Sequence, residues 1–367
     1  MERAISERTA LAPRPSASAP GPLWDGCRDP SCICQAWFDL AYTDSLYRNC
    51  LSFLARHYFR AELIHPERIP VRSEADPPLI FAANHSGMAF PWDSLMLKQV
   101  LWPVYIERYG QAPPRRDHIR ALAAPELSAS RLMRLYGIDG WWYRMGTVDV
   151  SYENFETMMR HPWDLILFPE GTTGIGKGFN RRYQLVRFKK SLAKICLRHG
   201  ATIVPVHVIN AEFLNPLAYS SDHLNGWARK RGIPFIPIGP LTLGFLLFPF
   251  VFYSVCPARL RYVIGEPIRL DPPAGVSRPT ETDYRSLTDI VQRRMQEDLL
   301  RYAGQYGERP YDLRSFVSEA WRQRRRLFDL VPVGWPRMFI RHARDHGGTS
   351  GSIWPYYAPL AGWLWAR

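Results

Sequence analysis

Short apolar runs alternate with amphipathic stretches through the middle of the chain. The apolar runs predict buried strands, at residues 79–83, 146–150, 164–168, 202–208 and 259–264. Apolar residues at helical spacing predict helices between them, at residues 92–101, 153–160 and 185–198. This alternation is typical of an α/β fold with a mixed, largely parallel sheet flanked by helices.

The regions outside this core show other patterns. Residues 35–60 have the apolar spacing of amphipathic helices, and residues 283–302 predict one further helix. The beginning of the chain is rich in Pro, Ser, Ala and Arg and has no apolar signal segment, which predicts a disordered tail. The predicted organisation is a tail at 1–30, amphipathic helices at 31–70, an α/β core at 71–270 with an apolar insertion at 231–259, and C-terminal helices with an aromatic tail at 271–367.

The apolar insertion is the longest uncharged stretch of the core. Arg231 and Arg259 enclose 27 residues without a charge, which exceeds the ~20 residues that a spanning helix needs. Four prolines, at 234, 237, 240 and 249, interrupt it, and a regular helix tolerates them poorly. We therefore expect an interfacial or re-entrant lobe in contact with a membrane, with burial against the protein as the alternative.

The net charge and the aromatic content also bear on contact with a membrane. The net charge is +13, with 41 Arg against 6 Lys, and guanidinium groups suit phosphates on lipids, coenzyme A or nucleic acid. A coding bias explains the arginines equally well. The 13 tryptophans and 18 tyrosines favour a membrane surface, and the sequence contains no nucleic-acid motif. We expect membrane lipids as partners and no nucleic acid.

The cysteines predict no disulfide framework. The chain contains six in 367 residues, a density far below that of disulfide-rich domains. Cys27, Cys32 and Cys34 are clustered, but their spacing matches no common zinc motif and no histidine follows nearby. We expect reduced thiols and no metal, with a zinc site as the alternative.

Candidate chemistry follows two of the predicted strands. Asn84 and His85 come directly after residues 79–83, and Glu170 begins a Glu-Gly-Thr turn after residues 164–168. Strand ends of an open α/β sheet face a common crevice, where ligands bind. A histidine there can act as a base if a carboxylate orients its ring. Asp93 is the only acidic residue between His85 and Glu107, and it is the candidate partner.

These motifs, followed by Val-Pro-Val at residues 204–206, resemble those of the glycerolipid (lysophospholipid) acyltransferase family. The family motifs read Asn-His-x4-Asp, Phe-Pro-Glu-Gly-Thr-Arg-Ser and Val-Pro-Val. The resemblance implies that His85 is the general base, that Asp93 orients it and that an acyl-CoA or acyl-carrier protein donates the acyl group, with no further cofactor. It also implies that the lipid acceptor is bound by Asn84, Glu170, Gly171 and Thr172.

The chain departs from the family pattern in two respects. Seven residues, instead of four, separate His85 from Asp93, so the intervening segment must form a loop shaped by Gly87 and Pro91. Two arginines to which the resemblance assigns the acceptor phosphate are also absent. One would stand at Thr173 and the other near residues 146–151. Arg181 and Arg182 are predicted to compensate, and a solvated basic surface is the alternative.

Two other functions compete with acyl transfer. Residues 171–178 match the phosphate-binding pattern Gly-x4-Gly-Lys, although Gly178 stands where a hydroxyl should bind magnesium. The altered spacing and lost arginines also fit a non-catalytic peripheral membrane protein on the same scaffold. We predict an O-acyltransferase at the cytoplasmic face of a membrane, acting on a lysophospholipid or a related lipid alcohol.

Overall fold

The structure is a computed structural model, and most of the chain can be described from it. The described residues are 31–72, 76–85, 87, 90–109, 119–125, 141–161, 163–230, 238–276, 278–346 and 357. The predicted tail at 1–30 and most of the predicted aromatic tail lie outside these ranges.

Within these ranges, eight strands form one mixed sheet. In chain order they are β1 (Glu62–Ile64), β2 (Leu79–Ala83), β3 (Ile119–Ala123), β4 (Thr147–Asp149), β5 (Asp164–Leu167), β6 (Thr202–Ile209), β7 (Arg261–Ile264) and β8 (Ile268–Arg269). Across the sheet the order is β1-β7-β6-β2-β5-β3-β4, and β8 pairs with β6. Only the β6–β7 and β6–β8 pairs are antiparallel. The predicted mixed, largely parallel sheet is confirmed.

Helices cover both faces of the sheet. In chain order they are α1 (Leu40–Leu46), α2 (Trp92–Tyr109), α3 (Trp141–Arg144), α4 (Tyr152–Met158), α5 (Thr172–Ile175), α6 (Ser191–His199), α7 (Asp222–Arg229), α8 (Pro240–Leu247), α9 (Glu281–Tyr306), α10 (Leu313–Arg322), α11 (Leu327–Leu330) and α12 (Trp335–Asp345). Two π-helical turns continue α1, at Tyr47–Leu51 and Leu54–Tyr58. Short 3-10 turns lie at Pro66–Arg68, Phe179–Arg181, Ala211–Leu214, Pro249–Tyr253, Arg324–Arg326 and Pro332–Gly334.

Strand β2 contributes to an apolar core on each face of the sheet. Side chains alternate along a strand, so Leu79, Phe81 and Ala83 pack with the aromatic residues of α1, α2 and α12. Ile80 and Ala82 pack on the opposite face with residues of α4, α6 and α9. Because both faces are covered, the run is apolar throughout, which is why the sequence located β2 so well.

Two predicted boundaries differ from the structure. Strand β1 lies inside the region 31–70 that we expected to be helical, and it pairs with β7 at the sheet edge. Its three residues are too few to show a strand period. Helix α9 packs on the sheet through Val291, Met295 and Leu299, so it belongs to the same core as the strands.

The predicted helix at 185–198 begins only at Ser191. Three backbone amides near its expected beginning donate to side chains of other elements. Leu185 N donates to Gln296 Oε1 at 2.7 Å, Val186 N to Glu170 Oε2 at 2.8 Å and Phe188 N to Gln292 Oε1 at 2.9 Å. These contacts attach residues 185–188 to α9 and to Glu170, and the helix begins after them.

The second half of the apolar insertion packs against the protein. Tyr253 and Val255 are buried, and Trp92 Nε1 donates to the Tyr253 carbonyl at 3.1 Å. Helix α8 has only eight residues, and its last residue, Leu247, is exposed. Among the described residues no helix combines the length and the apolar character that a membrane span requires. Residues 231–237 lie outside the described ranges.

A buried carboxylate connects three parts of this core. Asp164, at the start of β5, is almost fully buried and accepts a hydrogen bond from Leu79 N at 2.8 Å. Arg72 Nε donates to it at 2.7 Å, and the Tyr105 hydroxyl donates to its other oxygen. Burial raises the pKa of Asp164, whereas Arg72 and the hydrogen bonds act to lower it.

We predict that Asp164→Ala lowers the free energy of unfolding by about 3–5 kcal/mol, because it leaves Arg72 buried without this carboxylate. Urea denaturation measures the change. Asp222→Ala is the matched control, since Asp222 pairs with Arg181 at an exposed site and its side chain is 72% exposed. The control should lose at most about 1 kcal/mol. Equal losses in the two variants would contradict the role of Asp164.

Candidate active site

Asn84 extends strand β2 by one residue with its side chain. The last backbone pair between β2 and β6 joins Ala83 to Val206. Asn84 Nδ2 then donates to the Val208 carbonyl at 3.1 Å, and Asn84 Oδ1 accepts from Val208 N at 2.7 Å. The amide thus takes the place of the next backbone pair. It fixes the backbone that carries His85, whereas its predicted contact with substrate stays a prediction.

His85 is held on three sides. Its backbone N–H donates to Glu170 Oε1 at 2.9 Å. Its ring stacks on Phe168, with 4.1 Å between ring centroids and 14° between ring planes. Nδ1 lies 3.4 Å from Asp93 Oδ2. The other ring nitrogen, Nε2, is therefore the one turned away from the carboxylate.

Asp93 lies at the beginning of α2 and is completely buried. Its Oδ1 accepts from Ser94 N at 2.8 Å, and the Tyr262 hydroxyl donates to its backbone carbonyl at 2.9 Å. Gly87, in the loop before it, has φ of +76°. A Cβ at this glycine would lie 2.2 Å from the Lys177 carbonyl. The longer interval thus still brings Asp93 to His85, through a loop that requires glycine at 87.

Both carboxylate oxygens of Glu170 are bound by other groups of the protein. It is fully buried, and besides His85 N it accepts a hydrogen bond from Val186 N at 2.8 Å. Lys177 Nζ lies 2.9 Å from Glu170 Oε2 and donates to the Gln184 carbonyl at 3.0 Å. A buried ion pair persists only when its remaining polar atoms are also hydrogen-bonded, as they are here. Glu170 therefore joins the end of β2 to residues 177 and 184–186, and its predicted role in acceptor binding stays a prediction.

The same contacts show that the phosphate-binding alternative was wrong. Lys177 Nζ is buried against Glu170 and cannot cradle a nucleotide phosphate. Residues 172–175 form the single turn α5, and the next α-helix starts only at Ser191. The resemblance to acyltransferases gave no role to Lys177. The Gly-x4-Gly-Lys pattern singled it out, although for a different chemistry.

Glu212 is a further buried ionisable group beside this pair. Burial raises its pKa to about 7; Lys177 acts to lower the pKa and Glu170 to raise it. Glu212 Oε1 accepts from Tyr183 N at 3.0 Å, which helps to hold the segment before α6. No sequence pattern singles out Glu212, because it lies in a 3-10 turn after β6.

The other predicted binding residues lie at the edge of this group. Gly171 has φ of +61° and ψ of −158°, a conformation that favours glycine. Thr172 is half-buried at the start of α5. Arg181 pairs with Asp222, and the Arg182 guanidinium lies over the Phe179 ring at 4.9 Å. The structure thus gives both arginines protein partners of their own.

Gly174 stands where the family pattern has serine, and it closes one side of the site. A Cβ at this position would lie 2.5 Å from Glu170 Cβ and 3.1 Å from His85 Cδ2. Glycine therefore permits the turn after β5 to approach the imidazole edge on which Nε2 lies.

Comparisons with known proteins find one matching family model and several related sequences. The family model described as Acyltransferase matches residues 60–209, a range that contains His85, Asp93, Glu170 and Lys177. An uncharacterised protein of Mycobacterium tuberculosis is 30% identical over 265 residues, which cover 72% of this chain and 67% of that protein. An uncharacterised protein of Mycobacterium leprae is 28% identical over 265 residues, or 66% of its own length.

A solved structure also matches. The chain is similar to the 1-acyl-sn-glycerophosphate acyltransferase of Thermotoga maritima, with 18% sequence identity and a TM-score of 0.38. The match covers 70% of this chain and 79% of the other.

We predict that Gly174→Ala destabilises the protein by about 1–3 kcal/mol, the usual range for an overpacked site. The added methyl must displace Glu170 and the His85 ring. Gly226→Ala is the control, because a Cβ at this position in α7 meets nothing within 4 Å. It should stabilise the protein by up to about 1 kcal/mol through helix propensity. Thermal and urea unfolding measure both, and a stabilised Gly174→Ala variant would contradict the packing described here.

Proposed function

We propose that this chain, which belongs to the acyltransferase family, moves a fatty acyl group from a thioester to the hydroxyl of a lipid acceptor. The observation that carries the proposal is the approach of His85 Nδ1 to Asp93 Oδ2, at 3.4 Å, across an interval longer than the family pattern. The burial of this pair at the end of β2 supports a catalytic use.

The proposed reaction begins with removal of a proton. His85 Nε2 takes the proton of the acceptor hydroxyl while Asp93 holds Nδ1 and stabilises the imidazolium. The acceptor oxygen forms a bond to the thioester carbonyl carbon, and the carbon–sulfur bond breaks. The leaving thiolate then recovers the proton. The products are an ester and a free thiol, and these steps use no cofactor besides the thioester itself.

The proposal specifies the acyl donor and the acyl acceptor by chemical class. The thioester is that of an acyl-CoA or an acyl-carrier protein, and the acceptor is a lysophospholipid or a related lipid alcohol. Thr173 replaces one family arginine, Arg181 is paired with Asp222, and Arg182 lies over Phe179. These contacts favour an acceptor whose phosphate, if present, is not held by the usual arginines.

We propose that the protein acts at a membrane surface. Helix α10 packs on the core through Phe316 and Ala320. Beside these two residues on the helix, Leu313, Val317 and Trp321 face solvent, at 63%, 64% and 73% exposure. These residues are spaced by four, so they form one apolar stripe along the helix.

Positive charge surrounds the stripe. Arg314 and Arg322 lie on the same helix, and Arg324, Arg325 and Arg326 follow it, all of them exposed. An apolar stripe bordered by guanidinium groups matches the interface of an anionic bilayer, where apolar side chains enter the head-group region. We propose that α10 places the site at the cytoplasmic face of such a membrane, because that leaflet is anionic.

For the chemistry, we predict that His85→Ala reduces acceptor-dependent thiol release from a long-chain acyl-CoA by about 10²–10⁴-fold. Asp93→Asn should cause an intermediate loss. The assay uses detergent-purified protein with lysophosphatidate and, separately, lipid alcohols without phosphate. The best acceptor shows whether the replaced arginines matter.

His223→Ala is the control for this series, because His223 is exposed in α7; its rate should equal that of wild type. Release that is unchanged in His85→Ala would contradict His85 as the base. Absence of release with every acceptor would favour the non-catalytic alternative.

For the membrane, we predict that the triple variant Leu313→Ser, Val317→Ser, Trp321→Ser binds phosphatidylglycerol-containing vesicles about 10-fold or more weakly than wild type. Co-sedimentation measures the binding, and vesicles of phosphatidylcholine alone show the contribution of charge. A triple variant at Val71, Ile290 and Leu300 is the control, since these are exposed apolar residues elsewhere. Equal binding by the two triple variants would exclude α10 as the contact.

A further inference from the structure

Two cysteines and a histidine meet far from each other in sequence. Cys32 Sγ lies 3.3 Å from His161 Nε2, although 129 residues separate them. Cys34 Sγ lies 3.3 Å from Cys32 Sγ. We propose that Cys32, Cys34 and His161 bind a zinc ion that fastens the segment before α1 to the turn before β5. The sequence interpretation found no histidine close to these cysteines because His161 is near them only in the folded chain.

The distances suit a zinc site. The three ligand atoms all lie within 4.8 Å of one another. Around a tetrahedral zinc ion, with Zn–S near 2.3 Å and Zn–N near 2.0 Å, two sulfurs are about 3.8 Å apart and a sulfur and a nitrogen about 3.6 Å apart. Side-chain rotations that move the ligand atoms by a few tenths of an ångström increase the present separations of 3.3 Å to these values. No described cysteine forms a disulfide.

Both ligand segments are fixed by their own backbone. The Cys32 carbonyl accepts from Gln35 N and Ala36 N, each at 2.8 Å, which forms a tight turn that presents both thiols on one side. His161 N donates to the Met158 carbonyl at 3.1 Å, at the end of α4. The ligands are therefore placed before any ion binds, which limits the conformational entropy that binding has to offset.

The three ligand residues are buried or partly buried, as expected for a site that stabilises the fold. Cys34 is buried in the apolar core formed by α4, α6 and the sheet, and Cys32 packs against the same core. His161 is half-buried. Thiolate and imidazole are the ligands that select zinc over magnesium or calcium. Water would complete the four-coordinate sphere.

A zinc ion at this site would stabilise the fold and would take no part in the proposed reaction. His161 lies three residues before β5, and β5 leads to Phe168 and Glu170. A bound ion would attach residues 31–37 to the start of this strand. The inference does not depend on acyl transfer, because its test measures metal.

The first experiment measures zinc in full-length protein purified without a polyhistidine tag or chelator, by plasma mass spectrometry. We expect stoichiometric zinc in the wild type and its loss in Cys32→Ser with Cys34→Ser and in His161→Ala. Cys256→Ser and His223→Ala are the matched controls and should retain zinc. Loss of zinc in the controls as well, or full zinc in the site variants, would overturn the proposal.

A second experiment needs no variant that might unfold. Wild-type protein is stripped with a chelator under reducing conditions and titrated with Co²⁺. A near-ultraviolet thiolate-to-cobalt absorption that saturates at one ion per chain supports the site. Wild-type protein that contains no zinc and develops no such band would overturn the proposal. A loss of thiol titre without metal, which indicates a Cys32–Cys34 disulfide, would overturn it too.

Discussion

The arrangement of the site depends on the burial of one carboxylate. Glu170 has no contact with water, so each of its oxygens must be satisfied by the protein. The groups that do so come from three places: the backbone of His85, the ammonium group of Lys177 and the backbone of Val186. Since the carboxylate cannot be left unpaired, the ends of β2 and β5 and the segment before α6 are fixed relative to one another.

A second set of contacts ties the same site to the antiparallel side of the sheet. Asn84 pairs with the Val208 backbone in β6, and the Tyr262 hydroxyl of β7 donates to the Asp93 carbonyl. His85 and Asp93 are thus both supported by strands beyond β2. Their relative position is set by the sheet, which is rigid, and less by the loop between them. This explains how a loop of unusual length still delivers Asp93 to His85.

The sequence predicted the features that depend on local pattern. Strand β2 was located to the residue, because a run buried on both faces has a clear apolar signal. His85 and Asp93 were paired correctly in space because few other carboxylates were near in the chain. The late start of α6, the ion pair of Lys177 and the approach of His161 to Cys32 were missed. All three depend on contacts between distant segments, which neither period nor spacing encodes.

The contacts of His85 with Phe168 and Asp93 favour one orientation of the imidazole. The stack on Phe168 fixes the ring plane, and a half-turn of the ring, which keeps that plane, would remove Nδ1 from Asp93. In the reaction proposed above, a proton gained at Nε2 would therefore depart from Nε2. The alcohol that gives the proton and the sulfur that receives it would have to reach the same side of the ring, so both reactants would have to be bound together.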